Sequence, residues 1–189
     1  MARPPLARDR ILAAARRIVE RDGAGSLTFD ELVKESGLTR GGITYHFPTK
    51  EDLLRGLLEA DFRQWDKSEA ALTPRDCDPD TARLLGFIRT LTSQDESHRR
   101  FLCGMLSAAT LDPPLMNPCR QELRERLGRK QWTDRDLRLH LVHLAAEGLM
   151  WQELFQMYSM PGPARARLVA LMEELARQWG AGQSPKKIA

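Results

Sequence analysis

The residues with the most informative chemistry lie in one segment, residues 38–50, whose side chains can hydrogen-bond to the phosphates and base edges of a nucleic acid. An arginine can donate two parallel hydrogen bonds to guanine, and hydroxyl, imidazole and ammonium groups can reach phosphate oxygens. A glycine lets the backbone itself come close to such a partner. The candidate contacts are Thr39, Arg40, Gly41, Thr44, Tyr45, His46 and Lys50.

Several of these residues have a second interpretation from the sequence alone. Arg40 can contact a phosphate instead of a base. Gly41 and Gly42 can serve only the geometry of a turn, and His46 can be a surface residue that packs beside Phe47.

The segment is predicted to be a short helix that is held to a core on one side. Ile43 and Phe47 are four residues apart and therefore share a helix face. Thr39 is the expected N-cap, with Leu38 and Ile43 at the spacing of a hydrophobic staple. Glycine costs roughly 1 kcal/mol relative to alanine in a helix. We interpret the two glycines as room for an approaching DNA surface, which makes this segment a recognition helix.

A second short helix is expected immediately before it. Residues 28–31, Thr-Phe-Asp-Glu, fit a capping box, and Leu27 and Leu32 fit a staple. Gly37 suits the left-handed position that ends this helix. Two short helices joined through a glycine turn are typical of a helix-turn-helix. Thr28 is a further candidate phosphate contact; its alternative role is the cap itself, and both roles are compatible.

Composition sets wider limits on location and partners. The 189-residue chain carries a net charge of +3, which has the sign but not the size of a strong polyanion binder. Six arginines precede residue 22 against two acidic residues, an excess of 6 − 2 = +4 that favours a DNA-facing end or, alternatively, a solvated helix face. The arginines are Arg3, Arg8, Arg10, Arg16, Arg17 and Arg21. Three cysteines at uninformative spacing, with neither a membrane-length apolar run nor a signal peptide, predict a cytoplasmic protein without membrane partners.

The whole chain has helical periodicity, which predicts an all-α fold of about nine helices. We expect a helix-turn-helix domain over residues 1–50, a helical domain over residues 51–180 and a flexible tail over residues 181–189. The helix predicted over residues 133–158 is apolar on more than one face, and a further helix is predicted over 164–179. Such faces suit a homodimer interface, or alternatively only a core.

The first fifty-odd residues resemble the DNA-binding domain of the tetracycline-repressor (TetR) family. The resemblance lies in residues 20–23 (Glu-Arg-Asp-Gly), 27–33 (Leu-Thr-Phe-Asp-Glu-Leu-Val), 36–41 (Ser-Gly-Leu-Thr-Arg-Gly) and 45–53 (Tyr-His-Phe-Pro-Thr-Lys-Glu-Asp-Leu). The family often has its tyrosine where this chain has Thr44. The resemblance implies a DNA-binding dimer whose second domain holds a small-molecule pocket, and in which occupancy of the pocket moves the fourth helix.

Methionine and aromatic residues of the second domain are candidates for lining that pocket, because such side chains adapt to varied apolar ligands. They could equally be plain core. The predicted ligand-binding residues are Trp65, Phe101, Met105, Met116, His143, Glu147, Met150 and Trp151. His140 and His143 share a helix face, but no complete ligand set can be named, so we expect neither a metal nor a cofactor. A redox role for Cys103 and Cys119 is an alternative to simple packing.

These observations favour a dimeric transcriptional repressor that a small-molecule inducer releases from a pseudo-palindromic operator. The Met and Trp content, together with a resemblance to multidrug-responsive members, favours a drug-like or cationic apolar inducer and an efflux gene as target. Asp61, Asp66 and Glu147 could balance the charge of a cation. The alternatives are an activator or global regulator without inducer, and an all-α enzyme, for which no catalytic motif is present.

Overall fold

The computed structural model describes residues 7–182, and this range forms nine α-helices and two short 3-10 helices. The α-helices are α1 (Ala7–Asp22), α2 (Phe29–Ser36), α3 (Arg40–His46), α4 (Lys50–Leu72), α5 (Pro79–Thr92), α6 (Glu96–Leu111), α7 (Asn117–Gly128), α8 (Asp134–Leu154) and α9 (Gly162–Gly180). The all-α prediction is confirmed. Arg3 and the predicted tail from residue 183 onward lie outside the described residues. Within the described range, every helix is too short or too polar to cross a membrane.

Unit 1, the first of two compact units, is built from residues 7–64 and 95–124 of the described range. Its core is formed by α1, α2, α3, the first part of α4 and α6, with fully buried side chains such as Ile11, Ile43 and Phe101. Gly104 lets α6 lie directly against the end of α1, because a Cβ at this position would come within 2.7 Å of Val19. The helices of the helix-turn-helix are therefore fixed to a core that α6 completes.

Unit 2 comprises residues 65–94 and 125–182 of the described range. Leu85, Ile88, Val142 and Ala146 lie in its core, to which α9 contributes Met172 and Ala176. Polar contacts join the helix ends. Arg135 at the start of α8 donates to the Asp78 carboxylate at 2.5 Å and to the Gly180 carbonyl at 3.0 Å.

These units do not coincide with the predicted domains of residues 1–50 and 51–180. Leu53, Leu54, Leu57 and Leu58 of α4 are buried in the same core as the helix-turn-helix, and α6 fills that core from a later part of the chain. A boundary at residue 50 would cut through this core. The assignment of DNA binding and ligand binding to separate domains stays a prediction.

The predicted helix over residues 133–158 is too long at its C-terminal end. The helix α8 ends at Leu154, and Gln156 has a left-handed backbone with φ of 50°. The amide of Met157 donates to the Gln152 carbonyl at 3.0 Å, and that of Gln156 donates to the Glu153 carbonyl at 3.2 Å. This is the Schellman pattern of helix ends, formed here without the glycine that normally signals it.

Candidate nucleic-acid interface

Two threonine caps and one left-handed glycine set the geometry of the α2–α3 pair. The Thr28 hydroxyl accepts from the amide of Glu31 at 3.2 Å, and the Thr39 hydroxyl accepts from that of Gly42 at 3.2 Å. Between the helices, Gly37 has φ of 67° and ψ of 18°. The predicted caps and turn are therefore confirmed. The predicted capping box is formed only in its Thr28 half, since Glu31 binds Lys34 at 2.6 Å.

Apolar residues attach α3 to the core of unit 1 by one face. Ile43 and Phe47 are buried, and Leu38 packs against the same cluster. The remaining face holds the predicted contact residues. Tyr45 is strongly exposed, with 83% of its surface accessible, and its ring lies edge-on to His46 at 5.2 Å between centroids. Such exposure suits an aromatic hydroxyl that meets another molecule.

The hydroxyl groups of the two capping threonines can still act as donors. Each hydroxyl oxygen accepts from a backbone amide, so its own hydrogen remains to be donated to a phosphate. Thr44 differs, because its hydroxyl donates to the carbonyls of Arg40 at 3.1 Å and Gly41 at 3.3 Å. Only its acceptor capacity is then open to a base edge.

Arg40 is held on the surface by residues of α2. Its Nη1 lies 2.6 Å from an oxygen of Asp30, and its guanidinium lies 5.6 Å from the ring centre of Phe29. The side chains of Arg40 and Asp30 remain 62% and 78% exposed, so both can reach a partner. Lys50 at the start of α4 donates to the Gly25 carbonyl at 3.2 Å, which places its ammonium beside the connection between α1 and α2.

Gly41 lies at the second position of α3 in open space, since an added Cβ would meet nothing within 4 Å. At Gly42 a Cβ would lie 3.3 Å from the Thr39 hydroxyl, so packing within the protein restricts this position. Packing within the protein therefore accounts for Gly42 but not for Gly41, whose role at an external surface stays a prediction.

Three arginines of α1 form ion pairs within unit 1, which favours the alternative of a solvated helix face over a DNA-facing excess of charge. Arg17 and Arg21 both donate to Glu35, at 2.7 and 3.1 Å, and these bonds hold the pKa of Glu35 below its usual range. Arg16 donates to Glu20 at 2.7 Å and to Asp61 at 2.8 Å. A count over the first 21 residues could not show this pairing, because Glu35 and Asp61 come from later parts of the sequence.

Two family models match the chain at these helices and in the second half. The model described as bacterial regulatory proteins, tetR family, matches residues 11–57, and the model described as tetracyclin repressor-like, C-terminal domain, matches residues 81–177. The chain belongs to the TetR family. It is therefore a transcriptional regulator with a DNA-binding helix-turn-helix.

Two curated relatives match the chain at low identity and over only part of their length. The HTH-type transcriptional regulator LmrA of Bacillus subtilis is 25% identical over 123 residues, which is 62% of this chain and 65% of LmrA. QacR of Staphylococcus aureus, also an HTH-type regulator, is 33% identical over 60 residues, or 32% of each protein. Both alignments span less than two thirds of the relative's length.

Solved structures share the fold over almost the whole chain. A transcriptional regulator from Rhodococcus sp. Rha1 gives a TM-score of 0.66 at 19% identity, covering 94% of this chain and 97% of that one. The multidrug binding protein EbrR complexed with ethidium gives 0.63 at 20% identity, covering 90% and 98%. At these identities the likeness establishes the TetR fold.

Three of the predicted ligand-binding residues lie in unit 1. Phe101 and Met105 are buried in its core, and the Arg16 guanidinium lies 4.2 Å from the Phe101 ring centre. Met116 is half-buried just before α7. Packing accounts for Phe101 and Met105, so a contact with a ligand stays a prediction for these residues.

The other predicted ligand-binding residues lie in unit 2, where an aromatic cluster forms. Phe87 lies 5.7 Å from Trp65 and 4.2 Å from His143, measured between ring centroids. His143 also lies 3.3 Å from the Glu147 carboxylate, and its hydrogen bond is the main cause that lowers the pKa of Glu147. Met150 is half-buried against the same core, whereas Trp151 is exposed.

Sequence reasoning missed three members of this cluster. They are Phe87, Glu69, whose carboxylate accepts from the Trp65 indole at 2.8 Å, and Arg126, which lies 3.2 Å from the His143 ring nitrogen. The Trp65–Glu69 pair had a usable signal, because residues four apart on a helix are neighbours. Among residues 7–182, no group of three or more metal-ligating side chains is placed to hold a metal ion.

Proposed function

We propose that this TetR-family regulator is a homodimeric repressor that a drug-like, apolar cation releases from a pseudo-palindromic operator. The regulated gene is expected to encode efflux of such compounds. The observation that carries the proposal is the exposed face of α3, which presents Arg40, Gly41 and Tyr45. The opposite face of this helix is packed against the core of unit 1. A helix presented in this way can enter a major groove.

Dimerisation is supported by an exposed apolar stripe on α8. The stripe follows the heptad spacing of a helix–helix seam, with Gly148 at its centre. Its apolar members are Leu137, Leu141, Leu144 and Trp151 of α8 and Phe155, which directly follows the helix. The rings of Trp151 and Phe155 stack at 5.8 Å although both are exposed, which suits a surface that a second copy covers. A dimer also supplies the two recognition helices that adjacent major grooves require.

Release by an apolar cation is supported by the aromatic and acidic composition of the Trp65, Phe87 and Glu69 region. Aromatic faces attract cations, and a carboxylate adds a counter-charge. Solved complexes of EbrR include those with ethidium, malachite green and proflavin, which are aromatic cations, and one with imidazole. Of the predicted counter-charges, Asp61 already binds Arg16, Glu147 lies beside His143 and Asp66 is exposed. Glu69 lies directly beside the Trp65 ring, and we therefore propose it as the counter-charge.

Operator binding is tested by selection from a random duplex library, followed by gel shifts over a range of salt. We expect enrichment of an inverted repeat and affinity that falls steeply as salt rises. Enrichment of unrelated sequences, or an affinity that salt does not change, would contradict the proposal.

Inducer binding is tested with ethidium and proflavin in the absence of DNA, because both dyes also intercalate. The dyes should raise the unfolding free energy of the protein by about 2.7 kcal/mol at a concentration of about 100 Kd. Trp65→Ala and Glu69→Gln should weaken this effect, whereas Trp132→Ala is a control at an exposed tryptophan of unit 2. If saturating dye left the midpoint of the unfolding transition unchanged, this class of inducer would be contradicted.

A further inference from the structure

Arg40 is held between two groups of the first turn of α2. The Asp30 carboxylate lies 2.6 Å from Nη1, and the Phe29 ring lies below the guanidinium at 5.6 Å. Phe29 itself packs against the core of unit 1, so this ring is a fixed support. The arginine therefore has a preferred position on the surface before any partner arrives.

The carboxylate of Asp30 is unexpected on a face that meets a polyanion. It is 78% exposed and lies two residues after the Thr28 cap, whose hydroxyl can donate to phosphate. A negative charge here weakens binding to every DNA sequence, because it repels the backbone. A group that costs affinity in this way can still contribute to discrimination between sequences.

The geometry of the pair leaves most of the arginine's fork open. A guanidinium has five donors, and the contact with Asp30 is made by Nη1. Two parallel hydrogen bonds to O6 and N7 of guanine need two of the remaining donors. An arginine without such a restraint can swing to a neighbouring phosphate, which carries no sequence information.

We propose that Asp30 is a positioning residue for sequence readout, which holds Arg40 toward a guanine edge and away from the phosphates. The inference rests on the DNA binding that the proposed function includes. The helix α2 then contributes to sequence specificity through Arg40, without contacting a base itself.

The test compares Asp30→Asn with Glu31→Gln. Glu31 loses the same charge from the same helical turn, but its carboxylate contacts Lys34 at 2.6 Å. Each variant is measured on the duplex that wild-type protein enriches from a random library and on duplexes that replace each guanine of that site. Both variants should bind all duplexes more tightly at low salt. Only Asp30→Asn should reduce the discrimination at one guanine, by about tenfold.

The same measurements in an Arg40→Ala background separate positioning from direct readout. With the arginine gone, Asp30→Asn should no longer change discrimination at any position. A loss of discrimination that persists without Arg40 would overturn the proposal, because Asp30 would then read a base itself.

Two other outcomes would also overturn it. Equal effects of Asp30→Asn and Glu31→Gln on every duplex would show that Asp30 acts only as a repulsive charge. Enrichment of no sequence by wild-type protein would refute the proposed function, and the positioning role with it. Helical content measured by circular dichroism shows that each variant is folded.

Discussion

Gly41 is a residue at which stability and DNA binding are expected to oppose each other. A Cβ at this position meets nothing within 4 Å, so Gly41→Ala should raise the free energy of unfolding by about 0.5 kcal/mol through helix propensity. The same methyl group would face the groove and should weaken operator binding. Urea denaturation and gel shifts measure the two effects on one protein preparation.

Gly42→Ala is the matched control for this prediction. Its Cβ would lie 3.3 Å from the Thr39 hydroxyl and press on the cap, so the stability gain should be smaller or absent. Operator affinity that Gly41→Ala leaves unchanged would show that this glycine does not approach DNA.

His98 gives unit 1 a dependence on pH. Its Nδ1 lies 3.2 Å from Nη2 of Arg16 and 3.5 Å from Asp61. Burial is the largest cause that lowers the pKa of His98, and Arg16 acts in the same direction against Asp61, Asp95 and Glu20. The neutral form is therefore favoured in the folded protein. The contribution of neutral His98 to the free energy of unfolding is complete above 6.5, the pKa of histidine in the unfolded chain. This contribution is lost as the pH falls through the lower pKa of His98 in the folded protein.

We therefore expect the free energy of unfolding to decrease between pH 7 and pH 5, and to decrease less in His98→Asn. The asparagine oxygen can still accept from Arg16 but does not titrate. Urea denaturation at several pH values measures how steeply the free energy of unfolding changes with pH. His140, whose pKa is also lowered by burial, contributes separately in unit 2, and His140→Asn is the comparison. A wild-type slope retained in His98→Asn would contradict the role of this histidine.

At the scale of elements, the C-terminal end of α8 carries backbone strain. Gln156 has φ of 50°, a conformation that costs a residue with a side chain roughly 1 kcal/mol relative to glycine. Gln156→Gly should thus stabilise the protein by about 1 kcal/mol, as measured by urea denaturation. Gly37→Ala makes the reverse change at a left-handed position and should destabilise by a similar amount. The strain argument would be contradicted if Gln156→Gly did not stabilise the protein and Gly37→Ala did not destabilise it.

Most helix starts were predictable because their signals are local. Thr28, Thr39 and Thr49 cap helices by bonds to amides three residues ahead, which the sequence displays directly. The end of α8 was not predictable, since Gln156 carries no preference for its conformation. The pairing of Arg17 with Glu35 and of Arg16 with Asp61 depends on tertiary packing and has no local signal.

Of the two candidate sites, the recognition helix was predictable from the sequence. The aromatic cluster of unit 2 was predictable only in part. The apolar pair Ile43 and Phe47 identified the buried face of α3 and hence its exposed face. Phe87 and Arg126 meet His143 from distant parts of the chain, so spacing could not place them together.

At the scale of the whole molecule, the stripe on α8 predicts a dependence of DNA binding on assembly. Leu144→Glu places a charge on an exposed leucine of the stripe and should convert the dimer to a monomer. Operator affinity should then fall by about 100-fold, because one recognition helix binds without its partner. Light scattering and gel shifts measure the two effects.

Leu123→Glu is the control, since this leucine of α7 is similarly exposed and lies outside the stripe. It should leave both mass and affinity unchanged. A Leu144→Glu protein that remains dimeric would show that the subunits meet elsewhere.

The two-segment construction of unit 1 has a consequence for synthesis on the ribosome. The recognition helix is complete by residue 46, but Phe101 and Met105, which fill the same core, are translated more than fifty residues later. A nascent chain that ends at residue 64 holds Ile11, Ile18 and Leu57 without the helix that covers them. The DNA-reading element should consequently gain its final rigidity late in translation, once α6 has emerged. Operator binding by the nascent protein is therefore expected only after α6 has been translated.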